Sequence, residues 1–207
     1  MIEKLVESKD LLLHHRINSC SHKLDRKRMA KKLIDNMIYH NGVGLSANQI
    51  GIWERVFCMR KNEEEIMVCF NPRIIKSYKR EIEMEEGCLS YPGLFLNIVR
   101  PQSVIVKYET EDCRVYKVKL DGMASRIFQH EYDHMQGIDF TQRVKSKTGT
   151  QSSAIYAKWN YNIHIEKKNS PHEKIRQGRW YHSSCCNRII KVRFYREWSY
   201  EAAIDNT

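Results

Sequence analysis

The chain has 207 residues, 42% of them hydrophobic and 29% charged, which excludes a disordered or collagen-like polymer. Its length fits one ordinary domain with or without an appendage, and such a domain folds without needing a disulfide or structural metal. The net charge of +10 is uneven: residues 1–140 hold 22 Lys or Arg and 20 Asp or Glu, so residues 141–207 carry +8 of it, which fits either a solvated basic surface or an RNA contact.

The apolar run Leu11–Leu13 is far shorter than the ~20 residues that span a bilayer. The amino-terminal residues lack the apolar stretch of an export signal. The seven cysteines have no framework spacing, so reduced thiols, a cytoplasmic location and no membrane partner are expected. Residues 24–40 predict a helix, with Leu24, Met29, Leu33, Met37 and Ile38 near helical spacing and Asn41-Gly42 as its stop. Short strands are predicted at Arg55–Met59, Ile66–Phe70, Ser103–Tyr108 and Val115–Leu120, the last alternating apolar with basic residues. Asp121-Gly122 breaks that strand, and residues 123–136 predict a second helix ending at Gly137. The expected fold is α+β: short antiparallel strands packed around a central metal-binding helix, with an N-terminal helix. Residues 145–153 look like a linker. Trp159–Ile165 and Ile189–Tyr195 show strand-like alternation, and three tryptophans (Trp159, Trp180, Trp198) are scattered through this part of the chain.

The second helix carries His130-Glu131-Tyr132-Asp133-His134. Two histidines four apart share one helix face, can bind one metal ion, and leave Glu131 within reach of an activated water as general base. The alternative is a chance pair of surface histidines on a charged helix. The third ligand is less local. A metzincin pattern fails at Phe140, which cannot bind a metal. Glu166 would serve a thermolysin-like site but lies in the irregular tail. Cys88, in Glu86-Gly87-Cys88-Leu89-Ser90, would complete a three-ligand site with an open position, unless it is simply a small buried hydrophobe. A third stretch, Gly42-Val43-Gly44-Leu45-Ser46-Ala47-Asn48-Gln49, allows close backbone approach and offers an uncharged amide at Gln49; taken alone, it fits a helix cap followed by a tight turn.

Together and in this order, the three stretches closely resemble the peptide deformylase family, whose motifs are G-x-G-L-A-A-x-Q, E-G-C-L-S and Q-H-E-x-D-H. Here they stand as GVGLSANQ (42–49), EGCLS (86–90) and QHEYDH (129–134), with Ser46 in place of the first Ala. The resemblance covers about residues 1–143 and implies a catalytic domain there, followed by a basic extension over 144–207. It implies Cys88, His130 and His134 as ligands of one divalent metal, Glu131 as general base, and Gln49 with the Leu89 N–H as oxyanion donors. Val43 and Gly44 would offer backbone groups to the peptide, and Ile127 would line the methionine pocket beside His130, although core packing explains Ile127 equally well. The implied activity is hydrolysis of the N-formyl group from formyl-methionyl nascent peptides, releasing formate. The donor set suits Zn, Fe(II), Co or Ni, and the resemblance implies Fe(II) first, with Zn or Ni as alternatives. Two other classes remain: an H-E-x-x-H protease cutting internal bonds, and an RNA- or ribosome-binding protein with a structural metal. The basic extension departs from the single basic helix that ends many family members, but its charge still fits a ribosomal or RNA partner. Cys185-Cys186 near His182 have poor ligand spacing and are taken as ordinary thiols.

Overall fold

Two aspartates open the two long helices. Asp25 caps α2 (Arg26–Tyr39) by accepting from the Arg28 N–H at 3.0 Å, and Asp121 caps α3 (Gly122–Gln136) by accepting from the Gly122 N–H at 2.8 Å. Both helices stop where a left-handed residue turns the chain, Asn41 (φ 57°) after α2 and Gly137 (φ 71°) after α3. The predicted stop at Asn41-Gly42 therefore uses the Asn. A side chain at Gly137 would also strike the backbone of His14 and His15, where the short helix α1 (Leu11–His14) docks. The computed structural model describes residues 1–144, 180–183 and 188–191.

The main sheet is antiparallel, with strands β1 (Gly44–Ser46), β2 (Val56–Arg60), β3 (Ile66–Ser77), β6 (Ser103–Glu109) and β7 (Val115–Asp121) in the order β1-β2-β3-β6-β7. Strands β4 (Glu81–Cys88) and β5 (Tyr91–Pro101) form a separate antiparallel pair. Alternate residues of β2 and β3 go to opposite faces. Val56, Cys58, Val68 and Phe70 pack with Met29, Leu33 and Met37 of α2, whereas Phe57, Met59, Met67 and Cys69 pack with Ile127 and Phe128 of α3. Burial on both faces explains why Val56–Met59 is apolar without interruption.

The α+β architecture matches the expectation, but two of its strands are not short, since β3 has 12 residues and β5 has 11. The strand expected to end at Phe70 continues through Asn71-Pro72, because a register shift between Phe70 and Arg73 absorbs the proline. Asn71 stands at φ 49° there, and its side chain accepts from the Cys20 N–H and donates to Glu109.

The chain divides into two compact units, Met1–Lys158 and Trp159–Thr207. In the second, β8 (Trp180–Ser183) pairs antiparallel with β9 (Arg188–Lys191). β9 overlaps the start of the alternating stretch at 189–195. The expected linker 145–153, the stretch 159–165, Glu166 and Cys185-Cys186 lie outside the described residues. Among the described residues no helix is long and apolar enough to cross a membrane.

Candidate active site

Three protein groups converge where the end of β4 meets the middle of α3. The Cys88 Sγ lies 3.3 Å from His134 Nε2, and the His130 and His134 rings are 5.2 Å apart. One donor atom from each of Cys88, His130 and His134 falls within 4.8 Å of the other two, and all three residues are buried. A cation making bonds of ~2.0–2.3 Å could bridge donors at that spacing. Phe140, where a metzincin would need its third histidine, instead packs its ring 5.7 Å from that of His130 and closes one side of the site.

The surrounding groups are arranged to orient these donors. Glu86 accepts from His130 Nδ1 at 3.0 Å, which leaves Nε2 as the ring's remaining donor atom. Burial opposes ionisation of Glu86, yet hydrogen bonds from His130 and Arg100 hold its carboxyl at about 2. Arg100 grips Glu86 with two nitrogens, at 2.6 and 2.9 Å, and reaches Asp133 with a third at 2.6 Å. Arg126 adds a 2.8 Å bond to Glu86, and Arg143 holds Asp133. This buried network was not legible from the motifs, although Glu86 and Asp133 stand inside two of them. Its pairing partners lie 10 to 40 residues apart in the chain. Glu86→Ala leaves two arginines and His130 without their shared anion, so it should cost about 3–5 kcal/mol of stability and weaken metal binding ~10–100-fold. Urea unfolding and metal titration measure the two effects separately.

Glu131 is 4% exposed, and its Oε2 has no hydrogen-bond partner among the described residues. Burial pushes its carboxyl up to about 7, with the negative Glu86 adding to the shift and His130 opposing it. A buried carboxyl with a free oxygen beside a cluster of metal donors has the environment of a general base. Burial and the neighbouring His130 hold His134 well below the ordinary histidine range, so its ring is neutral and able to ligate. Its Nδ1, like Glu131 Oε2, is buried without a partner among the described residues. The residues present thus fit a cation: a thiol and two imidazoles cluster together, and the adjacent Glu131 carries a buried, unsatisfied carboxyl oxygen.

The Gly42–Gly51 stretch wraps this cluster. It contains the edge strand β1 and a short 3-10 turn, Ala47–Ile50, so it is more ordered than a cap followed by a turn. Gln49 Oε1 accepts from the Ser46 N–H at 2.9 Å and from the Ser46 hydroxyl at 3.0 Å. With its oxygen so occupied, the amide must turn Nε2 toward Cys88 Sγ and Ser90 Oγ, each 3.4 Å away. Ser46, the one departure from the family motif, therefore adds a donor that fixes the amide. A Cβ at Gly44 would collide with the Glu131 carboxylate, so the glycine is what lets β1 lie against Glu131. Gly44→Ala should lower turnover ~100-fold by displacing Glu131, with the fold retained as judged by circular dichroism.

The remaining predicted residues are placed less uniformly. Leu89 sits in the turn between β4 and β5, with its side chain against the α2-side core. Val43 is 44% exposed, but its carbonyl already accepts from the Arg60 N–H at 2.8 Å, so that oxygen serves the sheet. Ile127 is 6% exposed and packs in the α3-side core.

Comparison with known proteins agrees with this geometry. The polypeptide deformylase family profile matches residues 2–149. The chain belongs to that family. It is 38% identical over 148 residues to the chloroplastic peptide deformylase 1B of Oryza sativa subsp. japonica, an alignment covering 68% of this chain and 54% of the rice protein. It is 39% identical over 125 residues to the peptide deformylase of Prochlorococcus marinus strain AS9601, covering 58% of this chain and 62% of that one. The chain therefore spans less than two thirds of either relative's length. The crystal structure of peptide deformylase from Thermotoga maritima superposes with a TM-score of 0.67 at 31% identity, covering 70% of this chain and 99% of that one. The enzyme from Synechococcus elongatus, solved in complex with actinonin, superposes with a TM-score of 0.65 at 32% identity, covering 69% and 79%.

Proposed function

We propose that this deformylase-family chain hydrolyses the formyl group from the N-terminal formyl-methionine of newly made polypeptides, releasing formate and a free amino terminus. The observation that carries this reading is the convergence of Cys88, His130 and His134 donor atoms within 4.8 Å, beside a buried Glu131 oxygen with no partner among the described residues. Residues 1–143 form the catalytic domain and residues 144–207 a basic extension.

In this reading Cys88, His130 and His134 hold one divalent ion, Fe(II) first and Zn or Ni as alternatives, as a mixed thiolate–imidazole set permits. When bound, such an ion supplies Lewis acidity that makes hydroxide available from water near neutral pH. Glu131 takes the water's proton at Oε2 and passes it to the leaving nitrogen. The Gln49 Nε2 and the Leu89 N–H donate to the developing oxyanion, each worth about 3–4 kcal/mol in barrier lowering. An amide suits this position, since a carboxylate would repel the oxyanion. The peptide runs along the edge strand β1 beside Val43 and Gly44, a place where an added strand can pair. Ile127 backs the methionine pocket.

The test combines anaerobic purification, metal analysis and formate release from formyl-Met-Ala-Ser, with an end-blocked internal peptide as control. About one metal per chain with formate release supports the reading. Cleavage of the blocked peptide without formate release would overturn it. The chain acts in the cytoplasm, with ribosomes as a partner of its basic extension. Co-sedimentation of the full chain with ribosomes, compared with a chain ending at Lys145, checks the latter; equal retention removes it.

A further inference from the structure

The register of the main sheet places like charges directly opposite one another. Arg73 of β3 faces Lys107 of β6, and Lys107 faces Lys117 of β7, so three cations stand in one row across three neighbouring strands, spaced ~5 Å apart. The next row holds Lys76, Ile105 and Lys119. The Tyr78 ring lies between its two lysines, with their Nζ atoms 5.0 and 5.1 Å from the ring centroid. All five cations are exposed.

Alternation puts this set on the sheet face that carries α2. Val104 and Val106, between the outward residues of β6, pack on the α3 side. The core beneath α2 draws its sheet residues from β1, β2 and β3, and none of its members comes from β6 or β7. The acids nearby lie at the ends of the face. Glu109 is held by Arg26 and Asn71, Asp112 by Lys27, and Asp121 reaches Lys119 only at 3.8 Å. Among the described residues, Arg73, Lys107, Lys117 and Lys76 form no ion pair. Opposed like charges destabilise a sheet, and residues 1–140 are nearly neutral overall, so the clustering does not follow from composition.

We infer that the β3-β6-β7 face is a docking surface for the phosphate backbone of RNA, separate from the hydrolytic site. Rows of cations suit a regular polyanion. The choice of RNA as the polyanion rests on the nascent-chain reading above, since such substrates emerge from an RNA-rich particle.

The experiment uses the full chain and a fluorescein-labelled RNA hairpin of 20 base pairs, followed by anisotropy between 50 and 200 mM KCl. The triple variant Arg73→Gln/Lys107→Gln/Lys117→Gln should bind at least tenfold more weakly, with the salt slope reduced by about 2–3. The control Lys9→Gln/Lys31→Gln/Lys61→Gln removes cations that already pair with Glu7, Asp35 and Glu65, and should change affinity less than threefold. Formate release from formyl-Met-Ala-Ser should be unchanged in the triple variant, which separates failure of this inference from failure of the hydrolytic reading. Relief of the like-charge row should leave its thermal midpoint equal or higher. Should the triple variant not fold, Lys117→Gln alone is expected to weaken binding two- to fivefold. Unchanged RNA affinity in the face variants, or an equal loss in the control, would overturn the inference.

Discussion

Glu131→Gln is expected to lower kcat for formyl-Met-Ala-Ser by at least ~100-fold, the scale of a lost general base, while metal content stays at the wild-type level. The two outcomes separate because Glu131 is not one of the three clustered donors. Among the described residues its Oε2 has no partner to lose, and its other oxygen lies against Gly44. Glutamine keeps the volume that fills this space, so the substitution removes the proton acceptor without opening a cavity or moving β1. KM should change little, because the role proposed for the carboxyl is on the attacking water rather than on the peptide. The thermal midpoint should hold too, since burying an unpaired carboxylate costs stability and an amide relieves that cost. A Glu131→Gln protein that retains both its metal and near-normal turnover would remove Glu131 as the base and leave the pocket needing another acceptor.

The parts of the site legible in the sequence are those whose geometry is local. His130 and His134 are bound to share a face once residues 122–136 are helical, and Asp121 and Gly137 mark that helix at both ends. Gln49 and Cys88 could be singled out only through their motifs, because nothing local says that the end of β4 reaches α3. What escaped is what depends on chain segments far apart. The Glu86–Arg100–Asp133 network joins β4, β5 and α3, and the arginines involved read as ordinary surface charge until burial is known. The β4-β5 pair escaped for a related reason. The acidic run before Cys88 reads as strand-like, four of the eight residues of β4 being Glu, but nothing local names β5 as its partner. Residue Gly87 shows the same dependence: a Cβ there would strike the Phe95 ring on the paired strand, which fits the glycine in the motif to a partner eight residues away.

Cys88→Ala should lose metal and activity together, and the loss should be visible without any assay of turnover. Alanine removes the only sulfur in the cluster and leaves two imidazoles, too few protein ligands to hold a cation in a catalytic site. Metal analysis of the purified variant should therefore give well below 0.1 ion per chain, and adding Fe(II), Zn or Ni should restore little. The fold should survive. Cys88 is 8% exposed and sits in a small apolar cluster with Ile98 and Phe140, so losing its sulfur opens a modest void, about 1–2 kcal/mol on the scale of small core truncations. Gln49 loses one of its two acceptors but keeps Ser90 Oγ, which holds the amide in the site. Cys88→Ser is the more exacting test of the donor's chemistry. A hydroxyl preserves shape and polarity but is not a thiolate, so it should bind metal weakly and recover far less than a tenth of wild-type turnover. Full metal content in Cys88→Ala would mean that the cation is gripped by other groups, and the assignment of sulfur as the third ligand would fall with it.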